Sequence, residues 1–321
     1  MDKVLGIGNA LVDIMTKLPD DSTLDKFSLK KGSMQLYERD FADKINNETN
    51  SFDKSQSSGG SAANTIHGLA NLGASAGYIG KIGSDSFGDF FQNDMKSNGI
   101  EPLMLKSNNE TGRAIALISP DSERTFATYL GAAVELSDSD LTPEQFKGYK
   151  YLHIEGYLVL NHALMIRAAK LAKEHGLKIS IDMASFNVVE DNLSFLKDYV
   201  RNYVDIIFAN EEEAKAFTGK EPEEALNEIA EQCEVAIVKV GSKGSLIKSN
   251  GIIHKIDPIK ANSVDTTGAG DLYASGFLYG MVNNMPLEKC GKIGSLCAGR
   301  VIEVIGSKMD NIIWDEIKSN I

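Results

Sequence analysis

Short β-branched runs alternate with stretches of helical apolar spacing almost from one end of the chain to the other. The runs predict strands at Val4 to Ile7, Tyr78 to Gly80, Tyr151 to Ile154, Lys178 to Ile181, Ile206 to Phe208 and Val235 to Val240. Between them the spacing predicts helices such as Ala62 to Leu72, Phe87 to Asn98, Leu164 to His175, Glu211 to Thr218 and Glu224 to Cys233. Leu72-Gly73, Asn98-Gly99 and His175-Gly176 read as helix ends, because a left-handed residue closes a helix most cheaply as glycine. Strand–helix alternation of this kind means βαβ units and a parallel sheet covered on both faces. Ligands of such sheets bind beyond the carboxyl ends of the strands.

Two stretches interrupt the pattern. Met15 to Leu36 is polar and shows no clear helix, and Arg113 to Ala133 reads as a hairpin. Its turn is Ser119-Pro120-Asp121-Ser122-Glu123, where Pro-Asp is good turn chemistry. Antiparallel strands set into a parallel frame suit a small lid that excludes water, and equally a flap or a dimerisation surface. The expected division is an α/β core of 1–14, 37–112 and 134–321 with a β lid of 15–36 and 113–133. A second hairpin is expected around Asn250-Gly251.

The 321 residues are enough for one large domain with an insertion, and the composition is that of a globular protein, 42% hydrophobic and 24% charged. A net charge of −12 argues against a general nucleic-acid or anionic-membrane surface. It leaves phosphate ligands open, since backbone amides bind phosphate without net positive charge. Cys233, Cys290 and Cys297 form no C-x-x-C pair and no disulfide framework, so a reducing cytoplasm is expected. No apolar run reaches membrane-spanning length.

The chemistry concentrates in Asp265-Thr266-Thr267-Gly268-Ala269-Gly270-Asp271, directly before a helical run. A glycine turn entering a helix points unpartnered N–H groups at whatever sits above it, which suits an anion gaining charge during a reaction. The closing carboxylate can orient and take the proton of a hydroxyl acceptor. A second glycine cluster, Ser58-Gly59-Gly60-Ser61-Ala62-Ala63-Asn64, opens another helix. Asn64 offers both donor and acceptor to a pair of hydroxyls, although Gly-Gly-Ser is also a common plain cap. Asn210-Glu211-Glu212-Glu213 places Asn210 and Glu213 on one side of a first turn, as water-held magnesium near phosphates would need, or as a helix dipole would favour. Lys239-Val240-Gly241-Ser242-Lys243-Gly244 could wrap a nucleotide or simply turn the chain. There is no G-x-x-x-x-G-K-[ST], Leu11 breaks a dinucleotide fingerprint at Gly6-Ile7-Gly8, and His153-Ile154-Glu155 lacks the P-C-x-x-C of a zinc deaminase. His67 and His153 read as packing residues.

In this order and context the four motifs resemble the ribokinase/PfkB family of small-molecule kinases over nearly the whole chain. The resemblance implies a ribokinase-like three-layer α/β sandwich with a central, mainly parallel sheet and a β lid. It implies Asp271 as catalytic base and Gly268, Ala269 and Gly270 as the anion hole. Asn9, Asp13, Gly59, Gly60 and Asn64 match positions that hold an acceptor's sugar hydroxyls. Asn210 and Glu213 match the motif that organises Mg²⁺ and the ATP phosphates, and Gly241 and Gly244 match the ATP-side loop. Lys239 replaces the Thr of many members. The carbonyls of Asp265 and Thr267 resemble part of a monovalent-cation site, for K⁺.

Within the family the bacterial adenosine kinase branch is the most similar, through Gly8-Asn9-Ala10-Leu11-Val12-Asp13-Ile14, Thr128-Tyr129-Leu130-Gly131-Ala132 and Glu155-Gly156-Tyr157-Leu158. Arg124 aligns with a lid arginine of that branch that meets the phosphoryl group on closure. Many sugar kinases carry D-P-N-x-R where this chain has Asp182-Met183-Ala184-Ser185-Phe186-Asn187. Phe186 falls where an aromatic ring would lie against a purine. The expected activity is ATP- and Mg²⁺-dependent phosphorylation of a ribosyl primary hydroxyl, the 5′-hydroxyl of adenosine first, with no nucleic-acid or membrane partner. A sugar kinase acting on ribose, fructose or 2-keto-3-deoxygluconate is the alternative, and a non-catalytic nucleotide-binding protein is the rival of another class. The lid edges are where a second copy would pair as a homodimer.

Overall fold

The computed structural model describes residues 2–121 and 123–321. Its strands are β1 (Val4–Ile7), β2 (Leu11–Lys17), β3 (Met34–Leu36), β4 (Lys54–Gly59), β5 (Ala76–Gly83), β6 (Ile100–Ser107) and β7 (Thr111–Ile118). They continue as β8 (Arg124–Gly131), β9 (Tyr151–Glu155), β10 (Lys178–Asp182), β11 (Ile206–Asn210), β12 (Val235–Lys239), β13 (Ser245–Ser249) and β14 (Ile252–Ile256). Nine of them form one sheet in the order β14-β13-β12-β11-β10-β9-β1-β5-β6. From β12 to β6 all neighbours run parallel, and β13 and β14 close the other edge antiparallel.

The strand period of two explains why this sheet needs helices on both faces. Along β11, Ile206 and Phe208 enter one core and Ile207 and Ala209 the other. Along β12, Val235 and Ile237 divide from Ala236 and Val238 in the same way. Helices Ser61–Asn71 and Ala269–Val282 cover the first face, while His162–Glu174 and Leu193–Tyr203 cover the second. The result is the expected three-layer α/β sandwich. Gly73, Gly99 and Gly176 all take positive φ at their helix ends, of 98°, 74° and 74°. Asn250 and Gly251, both at positive φ, turn β13 into β14.

A second sheet of five strands runs β3-β8-β7-β2-β4. It departs from the predicted segments 15–36 and 113–133: β2 begins at Leu11, and β4 at Lys54 adds a strand that the sequence placed in the core. The predicted helix-free stretch from Met15 to Leu36 also contains a short helix, Ser22–Lys26. The hairpin forms as β7 and β8, antiparallel, closed by a hydrogen bond from Ser119 N to Glu123 O of 2.9 Å; Ser122 of its turn lies outside the described residues. Along β2, Val12, Ile14 and Thr16 are buried and Asp13 faces the other way, toward the cleft between the sheets. Among the described residues no helix is long and apolar enough to cross a membrane.

Candidate active site

The parallel strands end in a row of polar residues: Glu155 closes β9, Asp182 closes β10, Asn210 closes β11 and Lys239 closes β12. Asp182 pairs in register with Glu155, and Asn210 with Lys239, so these side chains stand side by side at the carboxyl edge. Two glycine clusters are brought onto this edge by the helices they open.

Gly268 caps the helix Ala269–Val282 with φ +77°, and a Cβ there would meet Ser307 Cβ at 2.7 Å. Glycine is required on both counts. The turn leaves the amides of Ala269, Gly270 and Asp271 outside the intrahelical ladder, and Ala269 N bends back to Thr266 O at 3.2 Å. Asp271 in the first turn receives Ser61 Oγ at 2.7 Å and Asn64 Nδ2 at 3.0 Å. The two motifs, some two hundred positions apart, thus meet on one carboxylate. Burial pushes that carboxyl up to about 6, against the lowering effect of Asn64.

The residues that the resemblance matched to an acceptor site lie near one another, and two of them bond within the protein. The Asp13 carboxylate packs directly on Gly59, where a Cβ would collide with it, and burial raises its pKa. Gly60, at φ +103°, lies against the carbonyl of Asn9. Asn64, expected to clamp an acceptor diol, is spent inside the protein: its Nδ2 goes to Asp271 and its Oδ1 accepts from Ser307 Oγ at 2.8 Å. Asn9 is likewise oriented by Glu155, with Nδ2 2.5 Å from Oε1. Both side-chain amides are thus hydrogen-bonded to other site residues.

On the other side, Asn210 and Glu213 build a capping box. Asn210 N and Nδ2 donate to Glu213 Oε2 and Oε1 at 2.7 and 2.8 Å, and Glu213 N returns a bond to Asn210 Oδ1 at 2.8 Å. Glu213 is buried, and desolvation together with nearby Asp182 raises its pKa. Lys239, the departure from the family pattern, is central: its Nζ is 2.9 Å from Asp182 Oδ2, and a Cβ on Gly270 would lie 2.9 Å from the same nitrogen. The ammonium therefore stands over the predicted anion hole. Gly241 opens the following turn with free space around it, whereas Gly244 has a structural task, since a Cβ there would strike the Ile256 carbonyl. Phe186 starts a short helix just beyond β10 and is 47% exposed. Arg124 reaches out of β8 to Asp265, whose carboxylate also accepts from Thr267 N at 3.0 Å and Gly306 N at 2.8 Å.

Three contributors were not singled out as site residues: Ser61, Glu155 and Ser307. Glu155 is 2% exposed, also accepts from Ala62 N at 3.2 Å, and is pushed up to about 7 by burial. A Cβ on Gly8 would meet its Oε2 at 2.5 Å, so the glycine before Asn9 is a sequence trace of it. His153 and His67 pack as expected, His153 Nδ1 lying 3.0 Å from Ser180 Oγ and His67 Nδ1 3.1 Å from Asn71 Nδ2.

A parallel sheet with a glycine-mounted carboxylate at its carboxyl edge fits a small-molecule phosphotransferase, and comparison with known proteins gives that class. Residues 27–312 match the pfkB family carbohydrate kinases, and the chain belongs to that family. A probable sugar kinase from Rhizobium etli superimposes with a TM-score of 0.89 at 34% identity, covering 99% of this chain and 98% of that one. The adenosine kinase from Sinorhizobium meliloti superimposes with a TM-score of 0.88, also at 34% identity, over 100% of this chain and 99% of that one. The 5-dehydro-2-deoxygluconokinase of Bacillus subtilis is 28% identical over 260 residues, 76% of this chain and 80% of its own length. The protein is a kinase of a sugar or nucleoside hydroxyl with ATP as phosphoryl donor, and the family generally uses Mg²⁺.

Proposed function

We propose that this kinase transfers the γ-phosphoryl group of ATP to the 5′-hydroxyl of adenosine. The observation that carries the reaction is Asp271, held by Ser61 and Asn64 beside the open amides of the Gly268 turn. A hydroxyl delivered there meets a base on one side and an anion hole on the other. Asp271 takes the hydroxyl's proton as the oxygen attacks the γ-phosphorus, while the bond from that phosphorus to the β–γ bridging oxygen breaks and ADP leaves. The Gly270 and Asp271 amides, Lys239 and Arg124 hold the equatorial oxygens, so catalysis is mostly positioning and electrostatics. Asp13 and Gly59 receive the ribose hydroxyls. Closure of the second sheet would exclude water from the transfer.

Among the described residues no cluster of three or more His, Cys, Asp or Glu could hold a metal unaided. Both Glu213 oxygens are already engaged by Asn210, which fits a Mg²⁺ held through water and the nucleotide itself. When bound, the ion would neutralise charge on the ATP phosphates. The carbonyls of Asp265 and Thr267 would serve K⁺.

The choice of adenosine rests on Phe186, an aromatic ring left exposed at the end of β10, as a nucleobase platform would be. The similarity to a 5-dehydro-2-deoxygluconokinase favours a second reading, a sugar-acid or neutral-sugar kinase with the same machinery. A coupled ADP-release assay with adenosine, inosine, guanosine, ribose, fructose and 5-dehydro-2-deoxygluconate separates them. Turnover with adenosine above all others supports the proposal; turnover with a free sugar alone replaces it with the second reading.

A further inference from the structure

Just beyond β10, Ala184 takes φ +68°, a conformation that a residue with a Cβ rarely adopts. Ser185 N donates to Met183 O at 2.9 Å, which closes a γ-turn around it, in the rare form with positive φ. The turn aims the Ala184 N–H at Asp182 Oδ1, 3.1 Å away. Backbone strain persists where the surroundings over-determine it, and here it holds one carboxylate oxygen in place. The other, Oδ2, accepts from Lys239 Nζ at 2.9 Å.

The neighbouring carboxylates are engaged in the same way. Both oxygens of Glu213 accept from Asn210, and Asn210 pairs in register with Lys239, which brings that carboxylate beside the end of the lysine's strand. The oxygens of Asp271 accept from Ser61 and Asn64. Each carboxylate oxygen along this stretch of the edge therefore already has a donor. A Mg²⁺ ion held by protein and phosphates together needs one or two carboxylates to turn toward it, and these three are turned toward partners within the chain.

The chain instead brings its own cation. Gly270 has no side chain where a Cβ would lie 2.9 Å from Lys239 Nζ, so the ammonium rests directly against the turn of the proposed anion hole. The Lys239 side chain is 15% exposed, which leaves it within reach of a phosphate oxygen. Among the described residues it donates only to Asp182, and an ammonium has further donors to offer. Burial works against its charge, but Asp182, Glu213 and Asp271 outweigh burial and raise its pKa, so the group stays protonated.

We infer that Lys239, seated on Asp182 and against the Gly270 turn, is a tethered cation that takes the place of a protein-bound divalent ion, so that this kinase uses only the Mg²⁺ that arrives with ATP. The inference rests on ATP binding at this edge and not on which acceptor is phosphorylated.

The test counts Mn²⁺, as a paramagnetic probe for Mg²⁺, by electron paramagnetic resonance in the presence of a non-hydrolysable ATP analogue. Wild type should hold about one Mn²⁺ per bound nucleotide, and Lys239→Met about two, the second drawn to the uncovered Asp182. Lys239→Gln removes the charge but keeps a donor for Asp182, and should also admit the second ion. The double variant Asp182→Asn, Lys239→Met should return to about one, because the carboxylate seat is gone. Circular dichroism and binding of the analogue show which variants are folded. In turnover with Mg²⁺ equal to ATP, Lys239→Met should show an ATP KM about tenfold above wild type. That excess should shrink to about threefold or less as free Mg²⁺ rises into the millimolar range, while the wild-type value moves by less than about twofold. A second Mn²⁺ in wild type would overturn the inference. So would a single ion in both folded Lys239 variants, which would leave the lysine as a structural partner of Asp182. Absence of nucleotide-dependent Mn²⁺ from every protein would remove ATP from this edge, and the inference with it.

Discussion

Arg124 and Asp265 form an ion pair across the cleft, Nη1 to Oδ2 at 2.6 Å, with both side chains nearly buried. It joins the second sheet to the loop that precedes the Asp271 helix. Asp265 is also the organiser of that loop through the Thr267 and Gly306 amides. Both terminal nitrogens of Arg124 are buried and neither makes a well-aligned hydrogen bond, so its tie to Asp265 is one of charge. In the proposed mechanism these unspent donors turn to an incoming phosphoryl oxygen.

Substitution should separate these two tasks. Asp265→Ala strands a buried guanidinium and should cost about 3 kcal/mol of stability, read by denaturant unfolding. Arg124→Ala should lower kcat about 100-fold, as loss of one charge-stabilising donor does. A kcat within a factor of about two would remove Arg124 from the transition state.

Asp271→Asn should reduce turnover by about three orders of magnitude or more while ATP binding, measured by calorimetry, stays nearly intact. The wild-type base is raised from 3.8 to about 6, so kcat/KM should fall on the acid side of about pH 6, where the base is protonated. The stability sign is opposite. Between pH 3.8 and about 6 the folded state holds a proton that the unfolded chain has lost, so this group's contribution declines as pH rises through that window. The Asn variant should therefore melt above wild type at pH 7.5, with the difference gone by about pH 4.

Glycine and β-branched patterning made the inner strands of the large sheet readable, because they are apolar on both faces, whereas the half-exposed edge strand β6 was missed. The second sheet was harder. β4 is Lys-Ser-Gln-Ser-Ser-Gly, an edge strand with no apolar alternation to reveal it, and β3 exposes all three of its residues. Within the site, motifs located the glycine turns but not their supports. Ser61, Glu155 and Ser307 act through hydrogen bonds spanning 93 to 243 positions, and such pairing leaves no local spacing. The same limit explains Asn64. Its residue type suits a diol, and only the fold shows both ends of its amide already committed.

Lys239 stands where the family pattern did not ask for it, bridging Asp182 and the Gly270 turn. Lys239→Met should raise the ATP KM about tenfold and leave the acceptor KM close to wild type, the loss expected of one charge-assisted contact. A change in the acceptor KM alone would move this lysine to the other substrate.

Phe186 is exposed enough that its truncation should leave the melting temperature almost unchanged. Phe186→Ala should raise the KM for adenosine about tenfold or more, since base–aromatic stacking has that weight, and should barely alter the KM for ribose. Equal KM changes for both would end its role as a purine platform.

The most direct measurement is ³¹P NMR of a reaction containing the purified protein, ATP, Mg²⁺, K⁺ and equimolar adenosine and ribose. The account predicts a single new phosphomonoester signal, coupled to the 5′-methylene protons of adenosine, growing in step with ADP and absent with Asp271→Asn. A sugar phosphate accumulating while adenosine stays unmodified would contradict it.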